Sequence, residues 1–340
     1  MATCFDNLIA IKSTCNGVTG TSGLFIEDIG ITAQEAGMYI NSEYVNGADL
    51  ITDKIRFATE IVRKTISNHF ASHIISKSLI DSQLLGQYQS NLLMKPGAVA
   101  TLGGISLTLN NTQSYYTVFV NEISLQVDVT QDINVLVYDL ISGILLDTIV
   151  VSAVANKIVS KTVNKTYSSP KRKLDLIFVY DTEGINSNTT QIYSSGINGS
   201  CLSCSGYKYA NYYISASAVN LIETDTKIRS SLVSSQHTYG LSVNYSIQCS
   251  IENWLCEIAN LMAMPILYRA GMEVMQYALL HSNRQNSNVN IDSERNQKFY
   301  DFCEKEYISN LESTIKKINL PKYDPCFKCN EAIKHAVILP

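Results

Sequence analysis

The chain has 340 residues, of which 46% are hydrophobic and 16% charged, and its formal net charge is −4. That length and apolar content allow two or three domains around a substantial core and exclude a disordered chain. The charge is spread without strong asymmetry, and nothing in it suggests the basic stripe of a nucleic-acid-binding surface.

In chain order, residues 1–94 read as a loop-rich clasp followed by a helical segment. "GVTGTSG", Gly17 to Gly23, breaks regular structure and lacks the strand–turn–helix setting of a dinucleotide fingerprint. With Thr52 or Asp53 as cap, Ile55, Ala58, Val62 and Ile66 recur at helical steps. The pattern predicts a helix that runs on into "NHFASHIISKSLID". His69 and His73 share one face of it at the spacing of metal ligands. Phe70 stands where a zinc protease has its Glu, so the pair reads as surface or interface histidines.

Residues 95–183 alternate apolar and polar positions. The stripes are Ile123, Leu125, Val127 and Val129; Ile133, Val135 and Val137; and Leu174, Leu176, Phe178 and Tyr180. Turn signals at Asn110–Asn111, Gln131–Asp132, Ser142–Gly143 and Ser168–Pro170 separate them, which predicts an antiparallel β-sandwich. Asp139 and Asp147 then flank a hairpin. The longest apolar run, Ile141 to Val154, is too short for a membrane helix and reads as strand.

Residues 184–320 read as a cysteine-containing loop, a strand in "YGLSVNYSIQC", and a C-terminal helical body. Its first part is one apolar helical stretch from a Ser250 cap, kinked or divided by Pro265. Its second is a helix capped by Asp292 or Ser293, with the stripe Tyr300, Cys303, Tyr307, Leu311, Ile315 and Ile318. Residues 321–340 form a tail with a Cys-x-x-Cys. The expected fold is α+β: a helical body formed by the N- and C-terminal segments, with an inserted antiparallel β-sandwich.

The N-terminal apolar run has no basic residues before it, so it is not read as a secretory signal and synthesis in a reducing cytoplasm is expected. Of the nine cysteines, Cys303 lies on an apolar stripe and reads as a small core residue. The other eight form two sets, Cys4, Cys15, Cys326 and Cys329, and Cys201, Cys204, Cys249 and Cys256. Each set offers four soft ligands with one closely spaced pair, the donor set of structural zinc. The first would clasp both termini. Free thiols, and disulfides formed after release into an oxidising environment, are the other outcomes this spacing allows. A thioredoxin-like role is excluded, because CFKC follows a helix where the redox motif opens one.

No nucleotide-binding loop, nucleophile elbow, zinc-protease or kinase signature occurs, and the five histidines are scattered. Asp128, Asp132, Asp139 and Asp147 read as solvated strand and turn carboxylates, with a calcium site or a glycosidase pair as the alternative. Of the twenty tyrosines, four cluster at "YKYANYY", where Tyr207, Tyr209, Tyr212 and Tyr213 read as an interface, or as a platform for carbohydrate.

The segments "CFDNLIAIKSTC…TSGLFIEDIGI", "GADLITDKIRFATEIVRKTI", "GLSVNYSIQCSIENWLCEIANLMAMPILYRAGMEVM" and "YDPCFKCN" resemble a family of virion structural proteins of tailed phages of Bacteroidetes, crAss-like phages among them. The resemblance implies a particle component without catalytic residues, assembled in the host cytoplasm and located in the virion. A ring-forming neck or tail protein is the first expectation. Its partners would be further copies of itself and neighbouring virion proteins, with genomic DNA passing through the ring, no sequence-specific nucleic acid and no membrane. A peripheral tail protein whose sandwich binds a host glycan or receptor is the second.

Overall fold

The computed structural model describes residues 4–12, 20–40, 43–74, 78–88, 94–97, 102–111, 113–168, 174–188, 190, 208–210, 213–221, 232–234, 237–281, 290–321 and 324–327. The chain divides into two units. One comprises Met1–Ile75 with Trp254–Pro340, and the other is the intervening Ser76–Asn253. Helices and antiparallel sheets make this an α+β fold with an inserted sandwich, as the sequence predicts.

The first unit is built on three long helices. α1 (Ala33–Gly37) is short and is capped by Thr32, whose side chain accepts from the Glu35 amide. α2 (Gly47–Phe70) starts at an Asn46 cap, whose Oδ1 accepts the Asp49 amide at 3.0 Å. The helix therefore begins five residues before the expected Thr52 and stops at Phe70, short of the predicted run-on. Asn46 was masked in the sequence by the non-periodic Gly47–Ala48, although Asn is a strong N-cap. Its buried face, Leu50, Ile51, Ala58, Val62, Ile66 and Phe70, keeps the three- and four-residue spacing. Gly47 is required here: a Cβ would lie 2.0 Å from the Ala33 carbonyl oxygen and 2.4 Å from the Gly37 nitrogen.

The apolar stretch after Ser250 is divided, as Pro265 suggests. It forms α3 (Ile251–Glu257), a 3-10 turn at Ala259–Met262 and α4 (Ala263–His281). Pro265 falls in the first turn of α4, where a missing N–H leaves no helical bond unmade, so it starts the helix instead of kinking it. α4 is buried on most of its circumference, packing on α2 and α5 (Asn290–Lys317). Gly271 lets them close: a Cβ there would meet Ile29 Cδ1 at 2.7 Å and Cys303 Sγ at 2.9 Å. Of the predicted stripe, Cys303 and Tyr307 on α5 and Ile318 just past its end are buried, with Thr314 added, while Tyr300, Leu311 and Ile315 are half-buried. The side chains at the expected Asp292 cap lie outside the described residues, and the helix starts before it, at Asn290.

Two short strands complete the unit, β1 (Ile9–Ala10) and β2 (Leu24–Phe25), paired in parallel. Phe5, Leu8, Ile9, Ala10 and Ile11 bury the N-terminal segment.

The second unit is larger than the predicted 95–183. It begins with β3 (Ser78–Leu85) in the region read as helix, and ends with β15 (Leu241–Cys249), which the sequence does predict as strand. Between them run β4 (Lys95–Pro96), β5 (Leu102–Leu109), β6 (Tyr116–Gln126), β7 (Gln131–Asp139), β8 (Ile144–Ala153), β9 (Ile158–Tyr167), β10 (Asp175–Asp181), β11 (Asn186–Ser187), β12 (Lys208–Ala210), β13 (Ile214–Leu221) and β14 (Leu232–Ser234). One sheet has the order β12-β13-β5-β10-β7-β8, with β14 also on β13. The other has β3-β15-β6-β9, and all these pairings are antiparallel. β12 to β15, from a segment read as loop and helical body apart from the strand at 239–249, thus belong to the sheets, because the central partners of β5 and β6 are β13 and β15, far along the chain. The predicted stripes hold except at Val129, which is half-buried: Ile123, Leu125 and Val127, Ile133, Val135 and Val137, and Leu174, Leu176, Phe178 and Tyr180 are buried.

Candidate functional site: a clamped helical unit and its surface cleft

The clearest departure from sequence expectation concerns the cysteines. Cys4 is joined to Cys256 by a disulfide with a Cα–Cα distance of 5.5 Å. This bond crosses the two tetrathiolate sets, so neither forms as drawn, since a sulfur in a disulfide is not a thiolate ligand. Cys249 and Cys326 are likewise disulfide-bonded. Cys15, Cys201, Cys204 and Cys329 lie outside the described residues. Spacing alone misleads here because it cannot tell which distant loops meet: it groups Cys4 with Cys326, whereas the partner of Cys4 is on α3. Among the described residues no cluster of three or more His, Cys, Asp or Glu is placed to hold a metal ion. Cys303 is a free, buried thiol on α5, as expected of a core residue, and burial followed by the Glu306 charge pushes it up to about 12.

The first half of the terminal CFKC element is tied to the same unit. Asp324 turns the chain, accepting the Cys326 amide on Oδ1 at 2.8 Å and the Phe327 amide on its carbonyl. Phe327 then bridges to Ile74 by a β-type pairing and packs edge-on against Trp254, with ring centroids 5.7 Å apart. Trp254 meets Phe70, which also touches the rings of His69 and His73. The two histidines therefore flank an aromatic contact at the end of α2, with His73 Nδ1 3.1 Å from Ser72 Oγ.

A cleft of about 330 Å³ lies between α2 and α4. Lys54 sets its wall: the ammonium sits 5.2 Å from the Tyr277 ring centroid and 5.9 Å from that of Tyr44, and the two rings meet edge to face. Tyr44 donates its hydroxyl to Asp53 Oδ2 at 3.0 Å, and Arg56 donates to Oδ1 at 2.8 Å. The Arg56 hydrogen bond, against an opposing effect of burial, holds the Asp53 carboxyl below the usual range. Deeper in, Glu273 pairs with Arg269, whose guanidinium stacks over Tyr307 at 5.5 Å. Phe57 and Leu280, 49% and 68% exposed, form an apolar rim. Sequence reading missed the cleft, because its two walls are 220 residues apart in the chain. The only local signal was the unlike-charge pairing of Asp53 with Arg56 one turn on. Its charges are matched within the chain and its rim is apolar, which suits a partner's side chain better than proton transfer.

The predicted tyrosine interface is only partly described. Tyr207 and Tyr212 lie outside the described residues, and Tyr209 is on β12 with its side chain outside them. Tyr213 is half-buried, its carbonyl accepting the Asn110 amide at 2.7 Å. Many other tyrosines are core: Tyr115, Tyr116, Tyr180 and Tyr245 are fully buried, and Tyr180 donates to the Tyr239 carbonyl at 2.7 Å. Tyrosine abundance therefore reflects the interior as much as any surface.

The β-region carboxylates take structural roles. Asp128 binds Asn186 through both oxygens, and Asp139 accepts from Ile141 N and Ser142 Oγ at the β7–β8 hairpin that the sequence predicts, although it is buried and not solvated as expected. Asp147 accepts from Lys165 and Tyr167. No helix among the described residues is long and apolar enough to cross a membrane. Comparison with protein-family models, curated proteins and solved structures finds no match to this chain.

Proposed function

We propose that this chain is a structural component of a tailed-phage virion, a neck or tail ring protein that self-assembles, contacts adjacent rings and turns over no substrate. The observation that carries this reading is the clamped helical unit. Its three long helices, its disulfide and its charge-matched cleft with an apolar rim supply a rigid body with a surface suited to a neighbouring subunit. The insertion of 76–253 supplies a second compact unit for contacts with an adjacent ring. Identical subunits joined head to tail close into a ring when the rotation between them closes. The resemblance of the four quoted segments to phage virion proteins agrees with this.

Negative-stain electron microscopy of the purified chain, paired with its solution mass, tests the proposal. Closed rings of uniform size are expected, from the chain alone or on addition of a partner ring. A chain that stays monomeric with partner rings present, and binds a host glycan on an array, supports the peripheral receptor-binding role instead.

A further inference from the structure

Residues 4–12 and 20–29 close on one another. β1 pairs with β2, the Thr21 amide donates to the Asn7 carbonyl, and Lys12 gives its amide to Glu27 and its ammonium to Asp28. These bonds tie two stretches of chain into one strap that can move as a piece. Gly30 marks its end. At φ 87° it is left-handed, a conformation open to glycine, and the chain then enters the Thr32 cap of α1. Leu8, Ile9 and Ile26 give the strap a buried apolar side.

The strap meets the helices at both ends. Next to Gly30, Ile29 lies where α4 meets α5: a Cβ added to Gly271 would stand 2.7 Å from Ile29 Cδ1 and 2.9 Å from Cys303 Sγ. The Cys303 thiol is fully buried at this junction. At the other end, Cys4 is bonded to Cys256 on α3. Both of these cysteines are half-buried, so a small thiol can reach their bond, and reachable disulfides are the labile ones. Terminal segments of a domain order poorly unless something ties them down. The Cys4–Cys256 bond ties the strap at the end away from Gly30.

We infer that the Cys4–Cys256 disulfide is a redox latch on this strap. A dithiol reductant passes two electrons and two protons to the bond and leaves as a cyclic disulfide, while Cys4 and Cys256 return as thiols. The strap then swings about Gly30, lifts Ile29 from its seat and opens a path to Cys303 between α4 and α5. A low-molecular-weight disulfide reverses the exchange. It takes up the two electrons and two protons, leaves as two thiols, and the strap closes. The strap is open where thiols prevail and latched where disulfides do. The latch does not rest on the ring reading, and its test measures no assembly.

Peptide-resolved alkylation of Cys303 by N-ethylmaleimide, with amide hydrogen exchange on the same samples, tests it. The full oxidised chain is compared with the double variant Cys4→Ser and Cys256→Ser. Cys303 should react about tenfold faster or more in the variant, with amide protection lost in 4–12 and 20–29 and kept in α2, α4 and α5. Wild type in dithiothreitol should react at least as fast as the variant, and should slow again once oxidised glutathione replaces the reductant. Equal Cys303 rates in variant and wild type would overturn the inference. So would protection lost equally from the three helices, which is unfolding of the whole unit. Should the variant not fold, a dithiothreitol series on wild type decides the matter. Cys303 reactivity must then follow the fraction of Cys4–Cys256 bonds broken, and a rise that follows loss of helix instead would sink the latch.

Discussion

Cys4 and Cys256, separated by 252 positions, are covalently joined, so the N-terminal segment and the start of the C-terminal helices cannot part without breaking a disulfide. Such a cross-link stabilises mainly by restricting the unfolded chain, and losing one typically costs about 2–5 kcal/mol. Cys4→Ser should lower the denaturation midpoint by an amount of that order. A reductant should lower the wild type further, because Cys249 and Cys326 are also bonded. Equal midpoints with and without reductant would show that the clamp contributes nothing.

Gly47 and Ala33 set a second test. In an exposed helix, Gly→Ala is favourable by up to about 1 kcal/mol. At Gly47 the new Cβ would lie 2.0 Å from a backbone oxygen that cannot swing aside. Gly47→Ala should therefore destabilise, by about 1–3 kcal/mol as overpacking does. Chemical denaturation gives the sign directly, and a stabilised variant would refute the close approach of α1 to α2.

Tyr44 should make the helical unit sensitive to alkali. Burial, and then the Asp53 carboxylate it donates to, push its hydroxyl from 10.0 up to about 12. A raised folded value means the contribution is complete below pH 10 and is lost as pH rises through about 12, where the unfolded chain gives up its proton first. Unfolding free energies at pH 9 and pH 11.5 should fall less steeply in Tyr44→Phe than in the wild type.

Asp147 should act on the acid side. Burial opposes its charge, but the hydrogen bonds from Lys165 and Tyr167 outweigh it and hold the carboxyl below 3.8. A lowered folded value gives stability that is present above the ordinary carboxylate range and lost as pH falls below it. Asp147→Asn should be less stable than the wild type at neutral pH and should lose less between pH 5 and pH 2, followed by circular dichroism.

The sequence by itself determined the local elements wherever one period dominated. The stripe of α2, the alternation through β6, β7 and β10, the core position of Cys303 and the hairpin held by Asp139 were all legible, because each depends on neighbours a few residues away. It also located the inserted sandwich, though not its extent. Only the tertiary structure decided that 208–249 completes the sheets, that Cys4 pairs with Cys256 and that Lys54 lies between Tyr44 and Tyr277. Those relationships join residues up to 252 positions apart. Periodicity carries no signal over such distances; the packing of whole elements chooses among partners that local spacing leaves equivalent.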